Sequence, residues 1–371
     1  MARTFTVIRT LGTGGFGTVY RAEVEGVSGF KKTVAIKVMT PDVDAPQEIL
    51  VRLRDEARIL GLLHHRAIIG VDSLTELDAG WAVILEYVDG INLLQMLRGG
   101  PPPPSVTLEI IEEAAAALHH AHHIASPVTG KPLKVLHRDI KPGNICVTEQ
   151  GEVKVLDFGI ARAEFDTREA ETKHLSMGSL AYMAPERWSN HAGAGSDVFS
   201  LGLVLFELLT GKKSPKPPKQ LRDNDIFTAK AKATLDSRLV TRAPECTAEQ
   251  RDALRDLVLK MLVYDPAERV SAATAETMCR TLRGDLKGVW LKDWARTEIP
   301  ERKLAFVGTS DDATGLVLTE LEAAEGATPD RPQAVASTGN YTPIVIALMI
   351  VVVAGLGAAA LALSIAQGGL Q

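Results

Sequence analysis

The first forty residues carry apolar positions at β spacing: FTVIRTLG, GTVYRAEV and, after a Gly-containing turn at Ser28-Gly29, KKTVAIKVM. They predict a meander of short strands. At Pro46 the period changes, and Ile49, Leu53, Ala57, Leu60 and Leu63 fall three or four apart on one face of a helix that runs to about residue 63. WAVILEYV, residues 81–88, is a compact apolar strand. Pro101 to Pro104 make a stiff connector, after which Leu108, Ile111, Ala115, Leu118 and His122 return to helical spacing. Residues 197–210, DVFSLGLVLFELLT, are nearly all apolar yet too short to cross a bilayer, so they predict a central buried helix. Two later helices follow at 248–262 and 271–282, with Thr247 and Ser271 as N-caps. Strands first and helices afterwards predict an α+β chain of two lobes, a small β-rich N-lobe and a larger helical C-lobe, over residues 1–285.

Residues 286–343 mix Gly, Thr, Asp and Pro and read as a linker, in which LAFVG and LVLTELEAA could form local structure. Residues 344–363 then run 20 positions without a charge, enough for a helix to span roughly 30 Å of hydrocarbon. The expectation is one transmembrane helix over 344–366 and a short tail over 367–371. The N-terminus is too short and polar for a signal peptide, so the first domain is expected on the cytoplasmic side of a single-pass membrane protein. Helix association through Gly355, Gly357 and Ala359 would make it a homodimer.

Composition narrows the function. The 371 residues are 46% hydrophobic, which suffices for one large two-lobed core. A net charge of -5 gives no electrostatic footprint for nucleic acid. Cys146, Cys246 and Cys279 are widely separated with no metal-ligand spacing, which predicts neither disulfide nor zinc.

Gly12-Thr-Gly14-Gly15-Phe-Gly17-Thr-Val19 stands between two strand-like runs. Glycines there let backbone N–H groups approach phosphates, although an ordinary Gly-rich hairpin would read the same way. Lys37 ends the strand Val34-Ala35-Ile36 and can either snorkel to solvent or neutralise phosphates beneath the flap. Its ion-pair partner is read as Glu56 on the following helix, with Glu48 as the alternative.

His137-Arg138-Asp139-Ile-Lys141-Pro-Gly-Asn144, Asp157-Phe158-Gly159 and Ala184-Pro185-Glu186 follow in order. With these segments residues 5–285 resemble the eukaryotic-like serine/threonine protein kinase family, including its bacterial membrane-associated members. The resemblance implies ATP-dependent phosphorylation of serine or threonine hydroxyls on protein substrates, and autophosphorylation of the activation loop. Asp139 would take the hydroxyl proton and Lys141 would steady the γ-phosphate. Lys37 and Glu56 would complete the catalytic set. Asn144 and Asp157 would hold Mg²⁺, with Mn²⁺ able to substitute. Leu11, Gly12, Gly14, Gly15, Gly17, Val19, Ala35, Lys37, Glu86, Val88 and Cys146 would line the ATP site, with Leu85 at the gatekeeper position.

Asp197 and the Glu186–Arg269 pair would brace the scaffold. Arg138 would receive a phosphate from Thr167, Thr172 or Ser176, and Ser179 would bond Lys141 and Asp139. Lys212, Lys213, Lys216 and Lys219 read as a solvated loop, and His119, His120, His122 and His123 as a partly exposed helix end. The rival reading is a membrane-held pseudokinase that binds partners without phosphotransfer.

Overall fold

The alternation at the start of the chain becomes three antiparallel strands, β1 (Thr4–Gly14), β2 (Gly17–Glu25) and β3 (Lys31–Met39). The structure is a computed structural model, and it describes residues 3–14, 17–26, 29–39, 59–158, 180–305 and 314–321. On β1 the period of two is literal: Phe5 and Val7 are buried while Thr4 and Thr6 face solvent. On β3 the consecutive run Val34, Ala35 and Ile36 is buried, because β3 lies between β2 and β5 and is covered on both faces. β4 (Val71–Leu77) and β5 (Gly80–Glu86) extend the sheet in the order β4-β5-β3-β2-β1-β9, where β9 (Val317–Thr319) comes from far along the chain. The core of this N-lobe is Phe5, Val7, Ala22, Val34, Ile36, Val38, Leu77, Ala82, Ile84 and Leu318.

After β5 the chain crosses into a helical lobe through β6 (Gly90–Asn92), which pairs with β7 (Ile145–Thr148), itself paired with β8 (Val153–Val155). Helix α1 (Leu93–Arg98) opens on a capping box in which Asn92 and Gln95 exchange side-chain and backbone bonds. Helix α2 (Pro104–His123) uses Pro104 at its first turn, where a missing N–H costs nothing. Helix α3 (Ala194–Thr210) is buried at every position from Ser196 to Thr210. α4 (Asn224–Arg242), α5 (Ala248–Met261) and α6 (Ala272–Asp285) surround it, with Thr247 and Ser271 capping α5 and α6.

The predicted two-lobed α+β architecture is present. The compact unit reaches Glu322, so that residues read as linker carry α7 (Leu291–Leu304) and β9. Leu291, Trp294, Ala295 and Ile299 of α7 are buried in the C-lobe core.

One part of the expected fold is corrected. Among the described residues no helix is long and apolar enough to cross a membrane. The longest, α2, has 20 residues but carries Glu109, Glu112 and Glu113, and the most apolar, α3, has only 17. The span expected over 344–366 lies outside the described residues. Among the described residues, therefore, nothing forms the transmembrane helix on which the membrane as partner and a single-pass localisation were expected to rest. Most of the helix expected from Pro46 also lies outside the described residues, although Leu60 and Leu63 at its end are buried.

Candidate active site

The central buried helix positions the loop that precedes β7. Asp197, in the first turn of α3, accepts the backbone N–H of His137 at 2.7 Å and that of Arg138 at 2.8 Å. Arg138 has a left-handed backbone (φ +63°), unusual for a residue with a side chain. Both ends of that kink are held, since Arg187 donates to the Arg138 carbonyl at 2.5 Å. The next N–H, that of Asp139, donates to Nδ1 of His137 at 3.2 Å, while Nε2 of His137 lies 2.7 Å from the Leu156 carbonyl. Nδ1 must therefore accept and Nε2 carry the hydrogen. Burial lowers the His137 pKa, which keeps the imidazole neutral in this role. The peptide joining Arg138 to Asp139 is thus fixed at its oxygen and at its nitrogen.

Beyond this peptide the polar side chains form two groups, joined through the backbone of Leu156. Lys141 Nζ lies 2.8 Å from Asp139 Oδ2. Asn144, at the end of a short 3₁₀ turn (Pro142–Asn144), donates its amide to the Asp139 carbonyl at 2.8 Å and to Asp139 Oδ2 at 3.1 Å. The Asn144 carbonyl in turn accepts the Leu156 N–H at 2.8 Å, which draws the segment bearing Asp157 alongside. Asp157, also left-handed (φ +54°), receives Lys37 Nζ from β3 at 2.5 Å. Phe158 is buried beneath, its ring 4.6 Å from that of His137. With Leu60, Leu63, Ile68, Ile69, Val71 and Leu85 it lines a small apolar cavity.

Beside these groups stands an apolar shelf. Ala35, Val83 and Leu85 are buried together, with Val19, Ile69, Val71 and Leu74 packed against them. Cys146 is buried on β7, and a Cβ on Gly90 would meet its sulfur at 2.9 Å. Burial pushes the Cys146 thiol up to about 12, so it is a packing group and not a thiolate. Glu86 does more than end a strand: its N–H bonds the Gly70 carbonyl, and its carboxylate takes Gly70 N–H at 2.9 Å and Lys154 Nζ at 2.7 Å. The Val88 carbonyl accepts the Gly90 N–H at 3.1 Å.

The glycines separate into two kinds. Gly17 is left-handed (φ +140°), and a Cβ there would lie 2.1 Å from the Val38 carbonyl oxygen, so the fold itself requires glycine. Gly12 and Gly14 are exposed beside exposed Leu11, and a Cβ at either would meet no protein atom within 4 Å. Their openness suits a close approach from outside the chain.

Lys37 and Asp157 are thus brought beside Asp139, Lys141 and Asn144. Gly15, Glu56 and its alternative Glu48 lie outside the described residues, as do Thr167, Thr172, Ser176 and Ser179. Among the described residues the partner of Lys37 is Asp157.

Supporting contacts surround these groups. Arg269 meets Glu186 at 2.8 and 3.1 Å and bonds the Gly195, Val263 and Tyr264 carbonyls. Burial opposes ionisation of Glu186, but Arg269 and the Ser196 hydroxyl outweigh it and hold the carboxyl below its ordinary value. Two of the lysines read as a solvated loop have fixed partners. Lys213 reaches Tyr182 Oη at 2.7 Å and Glu207 at 3.1 Å, and Lys219 lies 4.0 Å over the Trp188 ring. Sequence reasoning missed Arg187 and Lys154, whose partners are a backbone carbonyl and a strand-end carboxylate, neither of which leaves a motif.

Comparison with known proteins places this geometry among relatives. A family model described as the protein kinase domain matches residues 5–279. The tyrosine-protein kinase MasK of Myxococcus xanthus is 34% identical over 280 residues, covering 73% of this chain and 41% of that protein. The serine/threonine-protein kinase PrkC of Bacillus subtilis is 36% identical over 210 residues, covering 56% of this chain and 30% of the relative. The chain therefore spans less than half the length of these curated relatives. Among solved structures, the Mycobacterium tuberculosis PknI kinase domain aligns with a TM-score of 0.52 at 25% identity, covering 75% of this chain and 96% of that one.

Proposed function

The chain belongs to the protein kinase family, as a kinase domain of the eukaryotic-like serine/threonine type, and from that premise we propose that it transfers the γ-phosphate of ATP to serine or threonine hydroxyls of proteins. The observation that carries the reading is the pair Lys37–Asp157 held beside the group Asn144, Asp139 and Lys141 by the Leu156 N–H to Asn144 carbonyl bond, together with an apolar shelf and two glycines that no protein atom crowds.

In this reading the hydroxyl oxygen attacks the γ-phosphorus, the bond to the β-γ bridging oxygen breaks, and the hydroxyl proton passes to Asp139. Asp139 needs position more than basicity, and the clamped peptide before it supplies position. Lys141 beside it would neutralise charge on the transferring group, and Lys37 would do so for the remaining phosphates. The adenine would lie on Val19, Ala35 and Cys146, with backbone groups of Glu86 and Val88 at its edge, while Leu11, Gly12, Gly14, Gly15 and Gly17 would cover the phosphates.

The residues present fit a divalent cation. Asn144 spends its amide hydrogens on Asp139, which leaves its oxygen as the remaining donor atom, and Asp157 adds a carboxylate. These are the hard oxygen ligands that Mg²⁺, or Mn²⁺, selects, and the ion would offset phosphate charge.

Lys141, two residues beyond Asp139 and 2.8 Å from its carboxylate, favours serine or threonine over the tyrosine specificity named for MasK. The test is radiolabelled ATP with a generic acceptor protein, followed by phosphoamino-acid analysis. Asp139→Asn should cut transfer by about 10²- to 10⁴-fold while ATP still binds. Undiminished transfer by that variant would remove Asp139 from the chemistry, and label confined to tyrosine would overturn the acceptor class.

A further inference from the structure

The last described strand occupies a slot between the two edges of the N-lobe sheet. On one side β9 pairs with β1 in the register Thr4–Thr319, Phe5–Leu318 and Thr6–Val317, extended by Val7 N–H to Leu316 O at 2.8 Å and Gly315 N–H to Val7 O at 2.9 Å. On the other side it bonds the end of β4, with Asp78 N–H to Thr319 O at 3.0 Å and Leu321 N–H to Glu76 O at 2.9 Å. A single three-residue strand thus satisfies both sheet edges and closes the sheet on itself. Leu318 is 2% exposed among Phe5, Val7 and Leu77. Glu320 locks the end, taking Arg3 Nη2 at 2.9 Å, Arg3 Nε at 3.1 Å and the Thr75 hydroxyl at 2.5 Å.

The chain reaches this slot from the other lobe. α7 is rooted in the C-lobe core, and its last turn is tied down beside the crossing between lobes. Arg302 donates to the Met96 and Gly100 carbonyls at 2.9 and 2.6 Å, and Lys303 meets Asp89 at 2.6 Å. Asp89 directly follows Val88, where the chain passes from one lobe to the other. α7 is thus fixed to the C-lobe and the crossing while residues 314–321 are fixed to the N-lobe.

The far end of β1 carries the exposed glycines. β1 shifts register between Val7 and Arg9 and again between Thr10 and Gly12, so it is bent twice between the part that holds β9 and the part that bears Leu11, Gly12 and Gly14. Fixing its base sets the direction of its tip.

We propose that α7 and β9 form an intramolecular strap, whose docking in the slot between β1 and β4 holds the glycine-bearing strand over the nucleotide site and whose undocking weakens nucleotide binding. The proposal rests on the kinase reading of that site. The occupant is this chain's own segment 314–321, which seats one apolar side chain and one carboxylate. Because the chain continues past the strap, whatever engages the residues that follow can act on the nucleotide site by pulling β9 out.

The test uses the full chain and a fluorescent ATP analogue with Mg²⁺. Leu318→Ala should raise the Kd several-fold. Thr4 and Thr319 are directly opposed and take no part in the pair's exchange of backbone bonds, so Thr4→Cys with Thr319→Cys can be oxidised across the slot while Cys146, Cys246 and Cys279 stay buried. Added to Leu318→Ala, the oxidised pair should restore wild-type affinity and reduction should remove it again. Equal affinity in oxidised, reduced and wild-type protein would overturn the strap. Should Leu318→Ala fold poorly, Glu320→Gln, which leaves the core intact, takes its place with the same expected direction and the same refuting result. If the wild type itself binds no ATP analogue, the kinase reading fails and not the strap alone.

Discussion

Replacing Asp197 by asparagine tests whether the buried helix sets the geometry of Asp139. In the structure the carboxylate accepts two consecutive backbone N–H groups, those of His137 at 2.7 Å and of Arg138 at 2.8 Å, on the N-terminal side of the left-handed kink at Arg138. An asparagine keeps one oxygen and turns an NH₂ toward the other donor, so one charge-assisted bond is lost and a buried N–H is left unpaired. That costs about 2–3 kcal/mol. The left-handed backbone at Arg138 itself costs about 1–2 kcal/mol and is held by Asp197 at its N–H, Arg187 at its carbonyl and His137 Nδ1 at the next N–H, so losing the first of these lets the loop relax at this kink. If the loss is felt as a smaller population of the competent loop, phosphotransfer falls by about 30- to 150-fold. Affinity for ATP should be unchanged, because Lys37 and the glycine strands do not depend on these bonds. The assay pairs kcat on a generic acceptor with titration of a fluorescent ATP analogue and a thermal melt. A variant with kcat within about two-fold of wild type and the same melting temperature would refute the reasoning, since it would mean that something other than Asp197 maintains the kink.

The two kinds of glycine should respond oppositely to a methyl group. Gly17→Ala drives a Cβ into the Val38 carbonyl oxygen, 2.1 Å away, at φ +140°, and should lower N-lobe stability by at least about 1–3 kcal/mol. Gly12→Ala meets no protein atom within 4 Å, so its melting temperature should hold while its ATP affinity falls; unchanged affinity would argue that the loop does not cover phosphate. Acid should destabilise the protein before its carboxylates protonate. Burial lowers the pKa of His137, and of His65, His120 and His122, below the unfolded value of about 6.5. Below that pH the unfolded chain binds protons that the folded chain does not. Stability is thus full above about 6.5 and declines as pH falls, by up to about 1.4 kcal/mol per unit for His137 alone. Urea midpoints at pH 7.5 and 5.5 check this, and equal midpoints would show that His137 is protonated in the folded state.

What could be read from the chain was what repeats or what carries a motif. The alternation of Phe5 and Val7 with Thr4 and Thr6 marked β1, and the unbroken apolar run after Asp197 marked the buried helix. Lys37, Asp139, Lys141, Asn144 and Asp157 were legible because they stand in the motifs that carry the family resemblance; the structure pairs Lys37 with Asp157 and groups Lys141 and Asn144 on Asp139. The strap was not legible. α7 does have Leu291, Trp294, Ala295 and Ile299 at helical spacing, but Pro300 within it reads as a breaker, and β9 is three residues with one buried side chain. Its pairing with β1 depends on partners more than 300 positions away, Phe5 with Leu318 among them, which no local period records. Arg187 was hidden for a related reason: its partner at Arg138 is a carbonyl, a group every residue possesses.

The polar residues of α3 explain why so apolar a helix sits at the centre of the molecule. A buried polar group must find a partner, and within a helix the backbone is already paired, so each polar side chain on α3 must bond something outside it or donate a bond back to a carbonyl one turn earlier. Four of them reach outward. Asp197 holds the backbone of His137 and Arg138, the Ser196 hydroxyl donates to Glu186, the Ser200 hydroxyl donates to the Tyr182 carbonyl at 2.7 Å, and Glu207 accepts the Tyr182 hydroxyl at 2.9 Å. His137, Arg138 and Tyr182 lie in irregular segments and Glu186 in a short 3₁₀ turn, none of which has a ladder of strands or a long helix to fix it. Burial at every position from Ser196 to Thr210 makes the helix hard to displace, and the same burial removes water as a competitor for these bonds. The loop bearing Asp139 and the segment ending in Glu186 are thus referenced to one rigid rod. Loosening either requires an unpaired polar atom in the core, whereas undocking β9 exposes a single leucine and parts one charge pair and a set of edge backbone bonds whose groups can turn to water. Change in this protein should therefore enter through the N-lobe and its strap, with the catalytic loop held constant.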